Sequence, residues 1–374
     1  MYTVGLAEEI ARALPHSEIY LISNKDARPT KPLPSHIRLL RTWSSGPRFV
    51  TQVFRTLTRI RPEVVHIQHE FSLYGGPLSV VGFPLLLILL RLIGLRPIVT
   101  MHGVLTEKQL DSDFHKNFFT SSSRLLRPSL LVVTFFLVHA ASLIIVHSRW
   151  QGTLLEKSFR VPKNRIRIIR HGTWLYPSER CLEGDRDRNV TGIFFGYITP
   201  SKGLEFLIKA FSEVRSTNLN LSIIGGKHRR DSGYYMEIRE LCKRRDNGRK
   251  VDFLGYLPEE RVHDVLSRAD FAVFPYTAGI SVSGALCIAI GHGLPMIATK
   301  VDSFSEYLDY SNSLMIGPGD TGALRQALEM LANSPDLRHK LSDGSIQLAR
   351  QISWQQVALQ TVHTYREVAD VENV

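Results

Sequence analysis

The chain has 374 residues, 44% of them hydrophobic and 22% charged, and a formal net charge of +11. This composition is that of a globular protein and excludes a disordered or fibrous chain. The length exceeds what one hydrophobic core usually serves, so we expect two domains of somewhat under about 200 residues each. The cysteines, Cys181, Cys242 and Cys287, are far apart and follow no ligand spacing. They argue against a disulfide framework and a zinc site, and they favour a reducing cytoplasm.

The positive charge is concentrated in the first half of the chain. Residues 1–174 hold 23 Lys and Arg against 10 Asp and Glu, whereas residues 175–374 hold 23 against 25. This asymmetry predicts that the first half meets an anion, such as phospholipid headgroups or a phosphate-bearing acceptor, although a basic solvated face is an equal alternative. Nucleic acid is not expected as a partner, because no basic run is interleaved with aromatic residues.

The opening of the chain lacks the pattern of a signal peptide, since Met1-Tyr2-Thr3 leads straight into a helical pattern over 2–14. A doubly wound domain ordinarily begins with an apolar strand that lies in the middle of its sheet. We therefore expect that a first strand is missing, that two strand edges are left unpaired, and that the natural start lies upstream of Met1.

Short β-branched runs alternate with helical patterns along the whole chain, which is typical of parallel sheets buried on both faces. In the first half, strands are predicted at 18–23, 36–42, 64–69, 97–102, 142–148 and 166–171. In the second half, strands are predicted at 191–196, 219–225, 251–256, 271–276, 295–299 and 313–316, separated by helices near 202–214, 235–245, 258–267, 284–291 and 321–332.

Two apolar stretches, at 77–95 and 125–146, are long enough to raise the question of a membrane span. Arg91 interrupts the first stretch and His139 the second, so we favour buried or surface-attached helices over spans.

A linker is predicted at 174–189, where Pro, Gly and mixed charges gather. The predicted domains are an acceptor-side domain at 1–173, a donor-binding domain at 190–352 and a closing amphipathic helix within 353–374 that packs back on the first domain.

Two loops in the second half combine a strand end, small residues and a helix start. In the segment 193–204, Gly196 makes a turn and Lys202 is expected to open a helix, which offers free amides and a positive charge to a pyrophosphate. In the segment 274–285, Ser283 is a good N-cap and Gly284 allows a ligand to approach the backbone. Open α/β sheets bind nucleotides at strand ends of this kind, although each loop alone could be an ordinary turn or a capped helix.

The order and spacing of these motifs resemble glycosyltransferase family 4, also called glycosyl transferases group 1. The resemblance covers nearly the whole chain and rests on the motifs at 64–70, 100–103, 146–148, 170–172, 196–203, 251–256, 269–275, 293–299 and 353–354. It implies the α/β GT-B fold, in which two Rossmann-like parallel-sheet domains face a cleft. It also implies a retaining, metal-independent transfer of a sugar from a nucleoside-diphosphate sugar, with no cofactor.

The resemblance assigns roles to particular residues. His102 and Lys202 are implied as catalytic, with His102 on the donor sugar and Lys202 on the leaving diphosphate. The implied donor-binding residues are Gly196, Lys202, Gly203, Gly279, Ser281, Val282, Ser283 and Gly284. His69, Glu70 and Tyr256 are possible cleft residues, and no metal ligand is expected.

The chain departs from the family pattern at three positions. Tyr197 stands where an arginine usually follows the glycine of the pyrophosphate motif, so Lys202 must supply more of the charge. Ile280 and Ile288 stand where the family has two glutamates seven residues apart. The Ser-rich loop could replace the carboxylate contacts with hydroxyl and amide contacts, or the activity could be lost.

These considerations leave three hypotheses. The first is a glycosyltransferase, located in the cytoplasm or at the inner membrane face, whose acceptor is a saccharide or is lipid-linked and which serves cell-envelope polysaccharide or glycolipid synthesis. The second is a degenerate scaffold or partner subunit without catalysis, and the third is another GT-B enzyme such as an epimerase or phosphorylase. The acidic pair Asp111 and Asp113 resembles a metal-binding motif of a different fold, and its place in a first-half loop argues against that role.

Overall fold

The computed structural model describes residues 2–28, 32–70, 73–74, 77–106, 126–176, 189–227, 232–244, 251–279 and 281–369. The chain divides into two compact units. The N-terminal unit holds the described residues of Met1–Leu110, Ser123–Gly172 and Trp354–Val374, and the C-terminal unit holds those of Thr173–Ser353.

The N-terminal unit combines short parallel strands with longer helices. Its described strands are β1 (Ile19–Asn24), β2 (Ile37–Trp43), β3 (Val65–His69), β4 (Pro97–Met101), β5 (Leu143–Val146) and β6 (Ile166–Ile168). Its described helices are α1 (Tyr2–Ala13), α2 (Phe49–Ile60), α3 (Pro77–Leu92), α4 (Leu126–Ala140), α5 (Arg149–Phe159) and, from the end of the chain, α12 (Trp354–Ala369).

The strands of this unit form two separate parallel sheets. One sheet pairs β1 with β2, and the other has the order β3-β4-β5-β6. Among the described strands, β1, β2, β3 and β6 each have a neighbour on one side only, and the expected missing first strand stays a prediction. One strand inserted between β1 and β3 would complete the order of a doubly wound sheet.

The helices of the N-terminal unit are shaped by apolar spacing and by caps. Helix α2 buries Phe49, Val50, Val53 and Leu57, which lie on one face of a 3.6-residue period. At the start of α5 the Ser148 hydroxyl accepts a hydrogen bond from the backbone N–H of Gln151, which satisfies one of the first amides of the helix.

The last helix, α12, packs against α1 within the N-terminal unit. The Trp354 ring lies against Gly5 and Gly172, where an added Cβ would overlap the indole. The Tyr2 ring meets the Trp354 ring edge-on, at a centroid separation of 5.0 Å. Further along α12, Arg167 forms an ion pair of 2.8 Å with Glu367. Aromatic packing and this half-buried pair therefore tie the end of the chain to the strands of this unit.

The C-terminal unit is a complete doubly wound domain. Its strands are β7 (Val190–Phe195), β8 (Leu219–Ile224), β9 (Val251–Gly255), β10 (Phe271–Phe274), β11 (Met296–Thr299) and β12 (Ser313–Ile316). Its described helices are α6 (Leu204–Ser212), α7 (Ser232–Arg244), α8 (Glu259–Arg268), α9 (Gly284–Gly291), α10 (Thr321–Asn333) and α11 (Pro335–Gln351). The sheet has the order β12-β11-β10-β7-β8-β9 with every pair parallel.

All twelve predicted strands are present, but several end earlier than predicted. The predicted ends included His102, Ser148 and His171, which leave the hydrogen-bonded ladder and form the loops at the sheet edge. Helix α11 was not among the predicted helices. It is polar, and it is anchored by the Ser342 and Ser345 hydroxyls, which donate to the carbonyls of Gly293 and Leu294 at 2.7 Å each.

Candidate functional site

The topological switch point of the C-terminal unit lies between β7 and β10. These two strands are neighbours in the sheet, and the chain proceeds outward from them in opposite directions. Ligands of open α/β sheets bind outside the carboxyl ends of the strands at such a point. Both loops that the sequence singled out begin here, one after Phe195 and the other after Phe274.

The loop after β7 is built on glycines that allow close backbone approach. Gly196 has a φ of +147° and its N–H donates to the Ile224 carbonyl at 3.0 Å. Gly203 has a φ of +63°, and an added Cβ there would overlap the carbonyl oxygen of Pro275. The approach of Gly203 to Pro275 brings the β7 loop against the β10 loop, and a side chain at Gly203 would separate them.

The prediction that Lys202 opens the helix is wrong. Lys202 ends a 3₁₀ turn over Pro200–Lys202, and α6 begins only at Leu204. The reason is the left-handed Gly203 between them, which interrupts the helical path. Lys202 therefore lies on the loop itself.

Lys202 is brought to the second loop by an aromatic ring. Its Nζ atom lies 3.6 Å from the centroid of the Tyr276 ring, which is a cation–π contact. Tyr276 is 2% exposed, and its hydroxyl is 2.9 Å from the Ser283 hydroxyl at the start of α9. The ammonium group, the ring and the helix start therefore lie in one row. The backbone N–H of Thr277 also donates to the Ser201 carbonyl at 3.0 Å, which joins the two loops directly.

The start of α9 carries four of the predicted donor-binding residues. Ser283 is the N-cap and accepts a long hydrogen bond of 3.4 Å from the Leu286 N–H, and Gly284 is the first helical residue. Val282 is buried and Ser281 is half-buried. Gly279 lies against Ser303, whose hydroxyl an added Cβ would overlap. The backbone N–H groups at the start of α9 can bind an anion, because they have no hydrogen-bond acceptor within the helix.

The other residues of this unit that the sequence singled out differ in exposure. Tyr256 is 73% exposed and packs beside Gly226. Tyr197 is 61% exposed. Ile288 is partly buried and packs against the core of the unit, so it contributes apolar contact where the family places a carboxylate.

In the N-terminal unit, each strand of the four-stranded sheet is followed by, or ends with, a histidine. These residues are His69, His102, His147 and His171. Parallel strands bring their carboxyl ends to the same edge, so the four imidazoles gather there. The Tyr2 ring lies among three of them, with centroids 4.6 Å from His102, 5.1 Å from His147 and 5.0 Å from His171.

His102 is engaged through both ring nitrogens. Its Nε2 lies 2.9 Å from the Gln68 side-chain oxygen, and its Nδ1 lies 3.2 Å from His147 Nε2. The His147 Nδ1 in turn lies 2.9 Å from the Ile169 carbonyl oxygen. The Gln151 side chain donates to the His102 carbonyl at 3.1 Å and accepts from the His147 N–H at 2.9 Å.

The chain of hydrogen bonds continues from Gln68 to the last helix. The Gln68 amide nitrogen lies 3.3 Å from His66 Nε2, which is also 2.7 Å from the Thr100 hydroxyl. His66 Nδ1 lies 2.6 Å from the Tyr365 hydroxyl. A connected row of polar side chains therefore runs from α12 to His147.

The pKa values of these histidines are lowered by burial, which penalises the charged imidazolium. The pKa falls to about 3 for His66, His69 and His171, to about 4 for His147 and to about 2 for His102. At His102, repulsion from His147 and other neighbouring histidines adds to the effect of burial. All five rings are consequently neutral at pH 7.

His69 and Glu70 occupy different environments although they are adjacent in the sequence. His69 is 1% exposed, packs against the Phe83 ring at 4.9 Å and accepts the His102 N–H through its carbonyl oxygen. Glu70 is exposed. His69 therefore supports the His102 backbone from inside the unit, whereas the Glu70 carboxylate can reach solvent.

Tyr276 and Gln68 were missed as site residues in the sequence. Tyr276 stands in the motif at 274–285, but its role depends on a loop 74 residues earlier in the chain. Gln68 lies inside the motif at 64–70 and faces His102 because β3 and β4 pair in register, with Gln68 opposite Thr100.

Some predicted features lie outside the described residues, namely Asp111, Asp113, Ile280, Cys181 and most of the linker. Within the described ranges, no three His, Cys, Asp or Glu side chains are grouped to hold a metal ion. In the same ranges, no helix combines the length and apolar character needed to cross a bilayer.

Two protein-family models, together with similar proteins from other organisms, match the two halves of the chain. The family model described as Glycosyltransferase Family 4 matches residues 3–173, and the model described as Glycosyl transferases group 1 matches residues 189–334. An uncharacterized glycosyltransferase of Methanocaldococcus jannaschii is 25% identical over 61% of this chain and 60% of its own length. Phosphatidyl-myo-inositol mannosyltransferase of Mycobacterium leprae is 28% identical over 48% of this chain and 47% of its own length. The chain thus covers less than two thirds of either relative.

Solved structures share the fold across nearly the whole chain. Sucrose-phosphate synthase from Thermosynechococcus elongatus has a TM-score of 0.76 and 19% identity, covering 99% of this chain and 93% of that one. Anabaena HepE, solved in complex with UDP, has a TM-score of 0.69 and 16% identity, covering 89% of this chain and 87% of that one. The predicted GT-B fold of two Rossmann-like domains and the predicted family are confirmed. The chain belongs to glycosyltransferase family 4, the glycosyl transferases of group 1.

Proposed function

We propose that this protein transfers a sugar from a nucleoside-diphosphate sugar to an acceptor, with retention of the anomeric configuration and without a metal ion or cofactor. The observation that carries the proposal is the row formed by Lys202, Tyr276 and Ser283 at the switch point of the C-terminal unit. It places one ammonium group beside the start of α9, which is where a diphosphate would find both a cation and free amides. Anabaena HepE has been solved with UDP-glucose, which supports a nucleotide sugar as the donor.

The chemistry follows from charge that develops on the leaving group. When the bond from the sugar to the diphosphate breaks, negative charge grows on the diphosphate oxygens. Positive groups that are already positioned to stabilise this charge usually make the largest contribution to catalysis. The contact with the Tyr276 face orients Lys202 before substrate arrives, so less side-chain freedom is lost on binding.

His102 is proposed to contact the donor sugar from the N-terminal unit. It is half-buried, and its ring is held by neighbours on both nitrogens. A sugar hydroxyl would have to replace the Gln68 contact to reach Nε2.

Replacement of Lys202 tests the donor site. We expect Lys202→Ala to lower kcat by about 100-fold or more, as the loss of one charge-stabilising donor does elsewhere. Lys209→Ala, which removes an exposed lysine from the following helix, is the matched control and should leave kcat unchanged. The assay is sugar transfer or donor hydrolysis across UDP-, GDP- and ADP-sugars, with the product anomer read by NMR and with EDTA present. Equal activity of both variants, an inverted product or loss of activity in EDTA would contradict the proposal.

A non-catalytic scaffold is the competing function, and one observation favours it. Ile288 is an apolar side chain packed against the core where the family has a glutamate. Calorimetry separates the two functions, because an enzyme must bind a nucleoside diphosphate and a scaffold need not. No measurable affinity for UDP, GDP or ADP would contradict the enzyme, whereas affinity that is lost in Lys202→Ala would support it.

The acceptor is proposed to carry a phosphate or a lipid, which would serve the synthesis of glycolipids or of envelope polysaccharide. The support is the excess of basic residues in 1–174 and the names of two relatives, phosphatidyl-myo-inositol mannosyltransferase and D-inositol 3-phosphate glycosyltransferase. A panel of phosphorylated and unphosphorylated inositols, with and without acyl chains, tests this class. Preference for the uncharged alcohols would overturn it.

Peripheral attachment to an anionic membrane is proposed through the outer surface of α3 and α4, here named the apolar face. Its large apolar side chains are between 42% and 76% exposed; they are Val81, Leu85, Ile88, Leu92, Ile93, Val132, Phe135 and Phe136. Ile88, Leu92 and Phe136 line one shallow depression together with Arg91, so the two helices contribute to a continuous surface.

The charges around the apolar face favour an anionic bilayer over a second copy of the chain. Residues 77–106 and 126–155 contain four arginines and no Asp or Glu. Arg91 lines the depression on this face, so two copies meeting face to face would bring their Arg91 side chains together, whereas anionic headgroups would attract them. Exposed apolar side chains of this number on one surface are also unusual for a protein that stays in water.

Vesicle sedimentation tests this attachment. We expect the protein to sediment with vesicles of phosphatidylglycerol and phosphatidylcholine at low salt. The double variant Leu85→Ser, Phe136→Ser should bind about 30- to 150-fold more weakly, because each of the two side chains contributes about 1–1.5 kcal/mol when it is half-buried in the bilayer. Met330→Ser, at an equally exposed position in the C-terminal unit, is the control and should bind unchanged. No sedimentation, or a dimer in gel filtration that the double variant abolishes, would refute the attachment.

A further inference from the structure

A neutral His102 ring cannot form both of its hydrogen bonds while the side-chain oxygen of Gln68 faces Nε2. His147 Nδ1 faces the Ile169 carbonyl, which only accepts, so the His147 proton is on Nδ1 and its Nε2 carries a lone pair. That lone pair faces His102 Nδ1 at 3.2 Å. His102 must therefore carry its proton on Nδ1 to donate to His147, which leaves a lone pair on His102 Nε2.

A lone pair on His102 Nε2 conflicts with the Gln68 oxygen 2.9 Å away, because both atoms would be acceptors. Half a turn of the Gln68 amide removes the conflict, since its NH₂ group then donates to His102. The Gln68 oxygen is then directed at His66 Nε2, whose proton it shares with the Thr100 hydroxyl 2.7 Å from that nitrogen, and His66 Nδ1 accepts from the Tyr365 hydroxyl. In this arrangement every member of the row is a donor to the next, from Tyr365 to the Ile169 carbonyl.

The competing arrangement keeps the Gln68 oxygen on His102 and needs a second proton, either on His102 itself or on His147. It therefore requires an imidazolium at half-buried His102, where burial and the neighbouring histidines lower the pKa to about 2, or at His147, which is 1% exposed. Burial lowers the pKa of His147 to about 4. The neutral arrangement needs only the rotation of one amide group.

We propose that His147 is a positioning residue that holds His102 in the Nδ1–H form and so makes His102 Nε2 a hydrogen-bond acceptor. For the sugar contact, which rests on the proposed function, this means that the substrate group must be a donor. A hydroxyl satisfies this requirement, whereas a ring oxygen or carbonyl does not. His147 itself need not touch the substrate.

Nitrogen-15 NMR of the imidazole rings in the full chain tests the proposal without requiring activity. The His102 signals are identified by their loss in His102→Gln. In the unaltered protein at pH 7 we expect His102 protonated on Nδ1 and His147 neutral. His147→Phe removes the acceptor, so the His102 proton should move to Nε2, where the Gln68 oxygen can accept it.

Two further variants separate positioning from packing. His171→Phe replaces another buried imidazole beside Tyr2 and should leave His102 in the Nδ1–H form. Gln68→Leu keeps the His147 acceptor and should also leave His102 in the Nδ1–H form. An Nε2–H form in the unaltered protein, an imidazolium at His147, or an unchanged His102 signal in folded His147→Phe would overturn the proposal. If His147→Phe fails to fold, the spectrum of the unaltered protein still decides.

Kinetics then connect the proton position to the reaction. If the sugar contact holds, His147→Phe should lower kcat/KM by about 10-fold or more, through the loss of one oriented hydrogen bond. His171→Phe should have a much smaller effect. An unaltered protein that shows the Nδ1–H form but transfers no sugar would refute the proposed function and leave the positioning role of His147 intact.

Discussion

Acidification from pH 7 to pH 5 should destabilise the N-terminal unit through its buried histidines. His69 and His147 are each 1% exposed, and burial lowers their pKa values to about 3 and about 4. In the unfolded chain a histidine has a pKa of about 6.5, so below that pH the unfolded state binds protons that the folded state excludes. The stability due to these groups is therefore present above about pH 6.5 and is lost as the pH falls toward 4.

The magnitude follows from the proton uptake of the unfolded chain. Between pH 7 and pH 5 each fully buried histidine costs about 2 kcal/mol, so His69 and His147 together cost about 4 kcal/mol. His66, His102 and His171 act in the same direction. The assay is urea denaturation at several pH values followed by tryptophan fluorescence, because three of the four tryptophans lie in this unit.

A single substitution isolates the contribution of one histidine. In His69→Phe the free energy of unfolding should fall less steeply with acid, by about 1.3 kcal/mol per pH unit near pH 5. His363→Gln, at an exposed histidine of α12, is the control variant in the same assay. A free energy of unfolding that stays constant between pH 7 and pH 5 would refute the reasoning, because it would mean that the buried rings are charged or hydrated.

Two glycines give further predictions. Gly203→Ala should destabilise the C-terminal unit by about 2 kcal/mol in urea, because the left-handed backbone is strained for alanine and the new Cβ meets the Pro275 carbonyl. Gly233→Ala, with open space around it, should be neutral or slightly stabilising, and equal loss in both variants would contradict the steric argument. Gly172→Ala should displace the Trp354 ring and alter the near-ultraviolet circular dichroism of folded protein, whereas an unchanged spectrum would show that the indole can shift without cost.

The strands and the loop positions could be predicted because parallel strands that are buried on both faces have short, continuous apolar sequences. Two examples are Phe271–Phe274 and Met296–Thr299. Both are fully buried, and their apolar sequences alone predict strands. The small-residue loops that follow them stand out for the same reason. Helix α11 escaped prediction because its buried side includes Ser342, Gly344 and Ser345, which fit close to neighbouring backbone instead of forming an apolar stripe.

The partners within each site could not be predicted from the sequence. Lys202 was singled out by its position after a glycine turn, but its contact with Tyr276 depends on how two loops meet across the sheet. Likewise, His102 and His147 are 45 residues apart, and their hydrogen bond exists because β4 and β5 are neighbours. Spacing along the chain identifies which residues reach the sheet edge, whereas the proton order among them depends on distances of a few tenths of an ångström.

The two sheets of the N-terminal unit have open edges at which other chains could pair, among them those of β1 and β3. Along Ile19–Asn24 and Val65–His69, alternate peptide groups point away from the one strand that each segment pairs with, toward a side where no described strand lies. Peptide groups of this kind exchange their hydrogens quickly and recruit extended segments from other molecules, so concentrated solutions should form β-rich oligomers unless a strand occupies the gap. A short apolar peptide that slows exchange at both segments at once would identify the gap as a single slot.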